Sequence, residues 1–211
     1  MKGKLVTLEG GEGAGKSTVL DALRTQLSSR GIDVVVTREP GGTVFGEAVR
    51  ALVLDAARTE VCAESELLLM FAARAQLVRE TIIPALDAGR WVLSDRFTDA
   101  SYAYQGGGRG QPVARVEDLE RWAAVIKPDL TLLLDLPVAQ GLARAGARGA
   151  ADRIELENDD FFERVRAAYR ARAAADPARF RVIDASAALD DVRHAACSAI
   201  DAWLDEQGAR P

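Results

Sequence analysis

The sequence predicts one α/β domain built on a mostly parallel sheet with helices on both faces, and three observations lead there. Short apolar runs alternate with stretches of helical periodicity along the chain. The first run, Leu5-Val6-Thr7-Leu8, leads straight into a glycine-rich loop and then a helix. Gly10, Arg38, Asp95 and Asp135 fall at or just past strand ends, where ligands gather in open parallel sheets.

The loop, Gly10-Gly11-Glu12-Gly13-Ala14-Gly15-Lys16-Ser17-Thr18, is G-x-x-x-x-G-K-[ST] in strand–loop–helix context, a P-loop. Its backbone N–H groups curl around phosphate, and the helix N-terminus adds positive potential. Lys16 reaches the terminal phosphates and the Ser17 hydroxyl ligates Mg²⁺. Lysine is scarce (Lys2, Lys4, Lys16 and Lys127), yet one stands where this motif requires it. The alternative is a plain glycine-rich turn between strand and helix.

The remaining elements follow in order. Val19, Leu20, Leu23 and Leu27 predict a helix over 15–29 that ends near Gly31. A second strand over 33–37 stops at Arg38-Glu39-Pro40-Gly41-Gly42. A helix over about 44–57 turns Val49, Leu52 and Val53 inward, and a longer one over about 64–88 carries Leu67, Phe71, Val78, Ile82 and Leu86. Trp91 to Ser94 form a third strand ending in Asp95-Arg96. Residues 98–110 read as helix giving way to a loop, Gly106-Gly107-Gly108-Arg109-Gly110. A helix near 115–126 precedes a strand over 130–135, then come a helix over 138–145 and an Arg/Ala/Gly segment. A helix over 158–174, a strand over 181–184 and a terminal helix with Leu189, Val192, Ala196, Ile200 and Leu204 on one face complete the chain. No repeat or long linker divides the 211 residues, which suit one domain with a sizeable core.

Composition narrows the class. The net charge of −5 argues against a broadly basic nucleic-acid surface. Cys62 and Cys197 lie far apart without metal spacing, which fits a reducing compartment. No apolar run reaches membrane-spanning length and no signal-peptide core opens the chain, so a cytoplasmic protein is expected.

A P-loop gives a nucleotide site but not a reaction. Asp95 at a strand end is placed to hold Mg²⁺ opposite Ser17, and Arg96 to bridge the phosphates of two substrates; the bland alternative is a strand-end ion pair. Positions 11–14 of the loop hold no cation, so transition-state charge must come from elsewhere. Arg144, Arg148 and Arg153 lie in a glycine-containing segment over about 144–156 that reads either as a lid closing over ATP or as a solvated loop. Glu12 suits a hydroxyl on a second substrate better than ATP phosphates. Arg38 and Arg50 are candidates for a phosphate, and Phe71 with Arg74 for a base, against the plain readings of surface and core. His194 on the terminal helix has no role assigned.

Several blocks together resemble the bacterial thymidylate kinases: Leu8 through Thr18, Thr37-Arg38-Glu39-Pro40-Gly41-Gly42-Thr43, Ser94-Asp95-Arg96-Phe97, Ala103-Tyr104-Gln105-Gly106-Gly107-Gly108-Arg109-Gly110, Pro128-Asp129-Leu130-Thr131-Leu132 and Asp152-Arg153-Ile154-Glu155. The resemblance spans nearly the whole chain in order. It implies transfer of the ATP γ-phosphate to dTMP with Mg²⁺, on a P-loop NTPase fold with a five-stranded parallel sheet and a short arginine-containing lid, as a homodimer. It implies that Lys16, Arg96 and the lid arginines Arg148 and Arg153 are catalytic, and that Gly10 to Thr18 bind ATP. Ser17 and Asp95 would serve the metal, and Glu12 the deoxyribose 3′-hydroxyl. Arg38, Glu39 and Arg50 would line the dTMP site with Arg50 on the phosphate, and Phe71, Arg74, Ser101 and Gln105 would meet the base. Met70 stands where the family often has its stacking aromatic, one residue before Phe71.

A deoxynucleoside kinase would need no phosphate clamp, so Arg38, Arg50 and Arg96 together favour a monophosphate acceptor. A GTPase-like switch would carry an Asn-Lys-x-Asp motif, which the chain lacks.

Overall fold

The structure, a computed structural model, describes residues 3–147, 150–206 and 208. Its sheet has five parallel strands in the order β2-β3-β1-β4-β5: β1 Leu5–Gly10, β2 Val34–Arg38, β3 Trp91–Asp95, β4 Leu130–Asp135 and β5 Phe180–Asp184. Their registers run in phase, with Leu8 opposite both Asp95 and Leu132. From β1 the chain builds β2 and β3 on one side and β4 and β5 on the other. The carboxyl end of β1 is therefore the switch point at which open parallel sheets form a crevice.

Along β1 alternate side chains enter different layers. Val6 and Leu8 join Leu93, Leu132 and Ile183 beneath α1 (Lys16–Ser29) and α9 (Leu189–Glu206), with Val19, Leu23, Leu27, Val192, Ala196 and Ile200 closing that layer. Burial of a large apolar side chain contributes about 1.5–3 kcal/mol before entropy is counted. The opposite face is covered by α2 (Val44–Leu54), α3 (Ala63–Leu77) and α8 (Asp159–Ala175), whose Val49, Val53, Ala73, Phe161, Val165 and Tyr169 share a cluster with Leu133 and Phe180.

Element boundaries differ from expectation in informative places. Helix α2 ends at Leu54, not 57, and Leu52 is exposed while Val49 and Val53 are buried in the core. The long helix predicted over 64–88 is α3 followed by a π-helical segment, Val78–Ile82, and α4 (Ile83–Asp87). A second π segment, Tyr102–Gly108, continues α5 (Thr98–Ser101) and absorbs glycines expected in a loop. A third, Glu120–Ala124, continues α6 (Val113–Leu119). Wide π turns are frequent at functional sites. Helix α7 spans Val138–Gly146.

On the second face Thr7, Thr131 and Asp99 are buried and paired. Thr7 and Thr131 hydrogen-bond through their hydroxyls at 2.9 Å. Arg179 donates to Thr131 Oγ1 at 2.8 Å and grips Asp99 with both terminal nitrogens, at 2.6 and 3.2 Å. Arg172 reaches the same buried carboxylate at 2.8 Å. Breaking a buried pair leaves an uncompensated charge. Asp99→Asn is therefore expected to destabilise the protein by about 3 kcal/mol, read as a lowered Tm in a thermal melt; an unchanged Tm means these arginines are content in water.

Candidate active site

The loop from Gly10 to Lys16 lies at the switch point, and close packing dictates two of its glycines. Gly10 has φ +141°, and a Cβ there would stand 2.4 Å from the Leu134 carbonyl oxygen. Gly13 has φ +68°, and its Cβ would meet the Gly141 carbonyl oxygen of α7 at 2.1 Å. The loop is thus clamped between β4 and α7, with its amides left to face the cleft. Lys16 Nζ curls back onto the carbonyls of Gly10 (3.2 Å) and Gly11 (2.9 Å). Burial, and then the Arg96 charge, push its pKa down.

Two cavities meet in front of this loop. The larger, about 590 Å³, is walled by residues 12–18, Arg38, Asp95, Arg144 and Glu155. The smaller, about 100 Å³, is walled by Pro40, Leu54, Met70, Ala100, Tyr104, Gln105 and Ile154. Glu12, Glu39, Arg50, Arg96 and Asp152 line both.

Arg96 stands at the junction in a left-handed backbone conformation, φ +71°, which costs energy in a residue with a Cβ. Its N–H is held by the Leu8 carbonyl and its own carbonyl by the Ser94 hydroxyl. Nη1 donates to the Gly10 carbonyl (2.9 Å) and to the Tyr169 hydroxyl (3.0 Å). Nη2 donates to Glu12 Oε1 (2.8 Å) and to the Tyr104 hydroxyl (3.0 Å). Burial works against its charge, but Tyr104, Tyr169, Glu12 and Asp95 outweigh that and hold its pKa well above the ordinary value. Behind it lies Glu9, fully buried on β1. It accepts from the Phe97 N–H at 2.8 Å and the Tyr169 hydroxyl at 2.7 Å, so it braces both the backbone beyond Arg96 and the phenol that Arg96 grips. Burial first, then the Asp99 charge, raise the Glu9 pKa to about 8.

Arg50 donates to the Pro40 carbonyl at 3.0 Å; burial and the Arg38 charge push its pKa down. Arg38 is exposed and paired with Glu47 at 2.9 Å. Asp95 and Ser17 share the larger cavity, and Asp95 Oδ1 is buried without a hydrogen-bond partner among the described residues. A carboxylate oxygen without a partner, on a residue lining the same cavity as a hydroxyl, suits a Mg²⁺ ion that takes its remaining ligands from phosphates and water. Among the described residues no three His, Cys, Asp or Glu side chains converge to hold a metal alone.

The structure moves several expected base and lid residues off the cavity walls. Helix α3 is regular through both positions, so Met70 faces the smaller cavity while Phe71 turns into a core cluster with Leu67, Tyr102 and Val116. Arg74 is fully buried behind the wall, donating to Glu39 (2.6 Å), Ser101 (3.0 Å) and the Phe97 carbonyl (3.1 Å), and Ser101 is buried with it. Burial, opposed by Arg74, raises the Glu39 pKa to about 7. Arg153 reaches neither cavity. It donates to the Val53 carbonyl at 2.7 Å and to Glu66 at 2.6 Å, so the second half of the predicted lid is pinned to α2 and α3. Arg148 lies outside the described residues, and Arg144 is tied to the carbonyls of Ala185 and Ser186. The sequence reading assigned no role to Tyr169 or Glu66, and Tyr104 entered it only within a motif. A tyrosine or glutamate at a core position of a helix is the signal that marks them.

The family model described as thymidylate kinase matches residues 8–196. A thymidylate kinase of Methylococcus capsulatus is 54% identical over 203 residues, covering 96% of this chain and 97% of that protein. One of Nitrosomonas europaea is 52% identical over 206 residues, covering 97% and 95%. Among solved structures, the thymidylate kinase from Ehrlichia chaffeensis superposes with a TM-score of 0.77 at 29% identity, covering 97% of this chain and 99% of its own.

Glu9 gives this site a pH signature. Because its folded pKa lies above the ordinary 4.5, its contribution to stability is complete below about pH 4.5 and is lost as pH rises through about 8. Glu9→Gln is expected to flatten that part of the stability–pH curve in urea melts run from pH 5 to 8.5; a parallel curve means Glu9 titrates normally.

Proposed function

This chain belongs to the thymidylate kinase family and phosphorylates dTMP to dTDP in dTTP synthesis, and we propose that ATP with Mg²⁺ is the donor and that the two cavities are the donor and acceptor halves of one site. The observation that carries this reading is the shared wall: Glu12, Arg50 and Arg96 front both cavities at the mouth of the P-loop. Phosphoryl transfer requires two phosphates brought together over positioned cations, and little covalent chemistry from the protein.

In this reading the loop amides from Gly11 to Thr18 and Lys16 hold the donor phosphates. Ser17 and Asp95 hold Mg²⁺, which when bound neutralises charge on the phosphates. Arg96 supplies a positive charge between donor and acceptor phosphates, its position fixed before either arrives. Arg50, half-buried with its charge already disfavoured, gains by accepting the dTMP phosphate. Glu12 takes a hydroxyl of the deoxyribose. Met70 packs on the thymine ring and Gln105 meets its edge, with Glu39 on the wall and Arg74 and Ser101 as a polar layer behind. Arg148 is the lid cation of the reading, and Arg153 anchors the lid's root.

Two further proposals have their own support. Leu68 on α3 and Trp122 in the third π segment are exposed, Trp122 at 76%, which suits a homodimer face. Both cysteines are free, as the cytoplasm would keep them, and among the described residues no helix is long and apolar enough to cross a membrane.

ADP release with ATP·Mg²⁺ and a panel of dTMP, dUMP, dCMP, AMP, GMP and thymidine is expected to be largely confined to dTMP. Turnover with thymidine instead would move the acceptor site to nucleosides. Glu12→Gln is expected to raise the dTMP KM by roughly ten- to a hundredfold, the worth of a charged hydrogen bond, with the ATP KM little changed. Equal effects on both nucleotides would remove the hydroxyl assignment. Arg148→Ala is expected to lower kcat by about 10³, whereas Arg153→Ala lowers Tm and dTMP affinity first; the reverse pattern would return Arg153 to the chemistry.

A further inference from the structure

Gln105 is the one uncharged amide on the wall of the smaller cavity, and its two ends are not equivalent. Nε2 donates to Glu66 Oε1 at 2.9 Å, while Oε1 is buried without a hydrogen-bond partner among the described residues. An ionised carboxylate only accepts, so the amide must present its NH₂ group to Glu66, and a flipped amide would set oxygen against oxygen. Glu66 is itself fixed. It is fully buried on α3, with Arg153 Nη2 at 2.6 Å on one oxygen and Arg109 Nη2 at 3.1 Å on the same one. Burial pushes its pKa up, but Gln105, Arg109 and Arg153 outweigh that and keep it below the ordinary value.

We propose that Glu66 is a positioning residue for base selection: its carboxylate locks the Gln105 amide so that a bare acceptor oxygen faces the acceptor cavity. That oxygen pairs with a pyrimidine carrying a ring N3–H, as thymine does, and opposes the lone pair that cytosine presents at the same ring position. A site built to hydrogen-bond one edge rejects an analogue that leaves its buried group unpaired. This rests on the smaller cavity being the dTMP site. Glu66 touches no substrate; it acts through Gln105.

The test compares kcat/KM for dTMP and dCMP in the wild type, Glu66→Gln, Gln105→Met and the double variant, each first shown to melt cooperatively. Glu66→Gln frees the amide to turn, and the dTMP/dCMP ratio is expected to fall about tenfold or more, one hydrogen bond's worth. Gln105→Met is expected to lower the ratio as well, and adding Glu66→Gln to it to change the ratio no further. If Glu66→Gln slows both substrates equally and leaves the ratio intact, Glu66 is only structural and the proposal is overturned. If Gln105→Met leaves the ratio unchanged, it is the assignment of this cavity to the base that fails. Should Glu66→Gln not fold, Glu66→Asp carries the same comparison, since it keeps the charge that Arg109 and Arg153 need and withdraws it by one methylene.

Discussion

The mouth of the sheet depends on where one guanidinium is held. Arg96 sits at the end of β3 in a backbone conformation that costs energy, and every neighbour works to keep it there. The Gly10 carbonyl, Glu12, Tyr104 and Tyr169 take its side-chain donors, and Glu9 holds the residue that follows. Arg96 stays partly exposed at the mouth of both cavities, and its four partners fix the guanidinium there. The arrangement also needs compensation, since an arginine stays charged and an unmatched charge away from water is costly. The P-loop fits over this pair of charges, and its own glycine geometry is imposed by the backbone of β4 and α7 pressing from beneath.

The polar face of the sheet extends the same logic. Asp99 with Arg172 and Arg179, Glu39 with Arg74, and Glu66 with Arg109 and Arg153 are carboxylate–arginine sets buried or nearly so. A protein with few lysines uses the planar fork of arginine for these sites, because one head group can satisfy several acceptors in a fixed geometry. The π segment at Tyr102–Gly108 brings Tyr104 and Gln105 to the wall of the smaller cavity in front of these groups. Its wider turn carries Tyr104 and Gln105 in successive directions without a loop.

Much of this was legible in the chain, for reasons that differ by element. The five strands were visible because strands buried on both faces are continuous apolar runs, and Leu130 to Leu134 has no other plausible reading. The P-loop, Asp95 and Arg96 were visible because strand ends and glycine spacing locate them without any long-range information. The π segments were not, since a wide turn has the same composition as a narrow one and only the packing of α8 against Gly107 and Gly108 decides it. The partner of Arg153 was not legible for a related reason. An arginine in an Arg/Ala/Gly stretch looks solvated, and its partner Glu66 lies 87 residues away in sequence. Phe71 illustrates the limit of periodicity: Met70 and Phe71 are both buried, and a rotation of one residue decides which meets the cavity.

The wall shared by the two cavities has a thermodynamic consequence. If the two cavities are the donor and acceptor halves proposed above, a ligand in either settles against Glu12, Arg50 and Arg96 and alters the electrostatics that the other half offers its own ligand. The two occupancies are therefore linked, and whatever the first nucleotide does to the affinity of the second must be returned by the second to the first in equal measure. In the proposed reading two polyanions share these cations, and a divalent ion bound between them would reduce their mutual opposition and so shift that linkage.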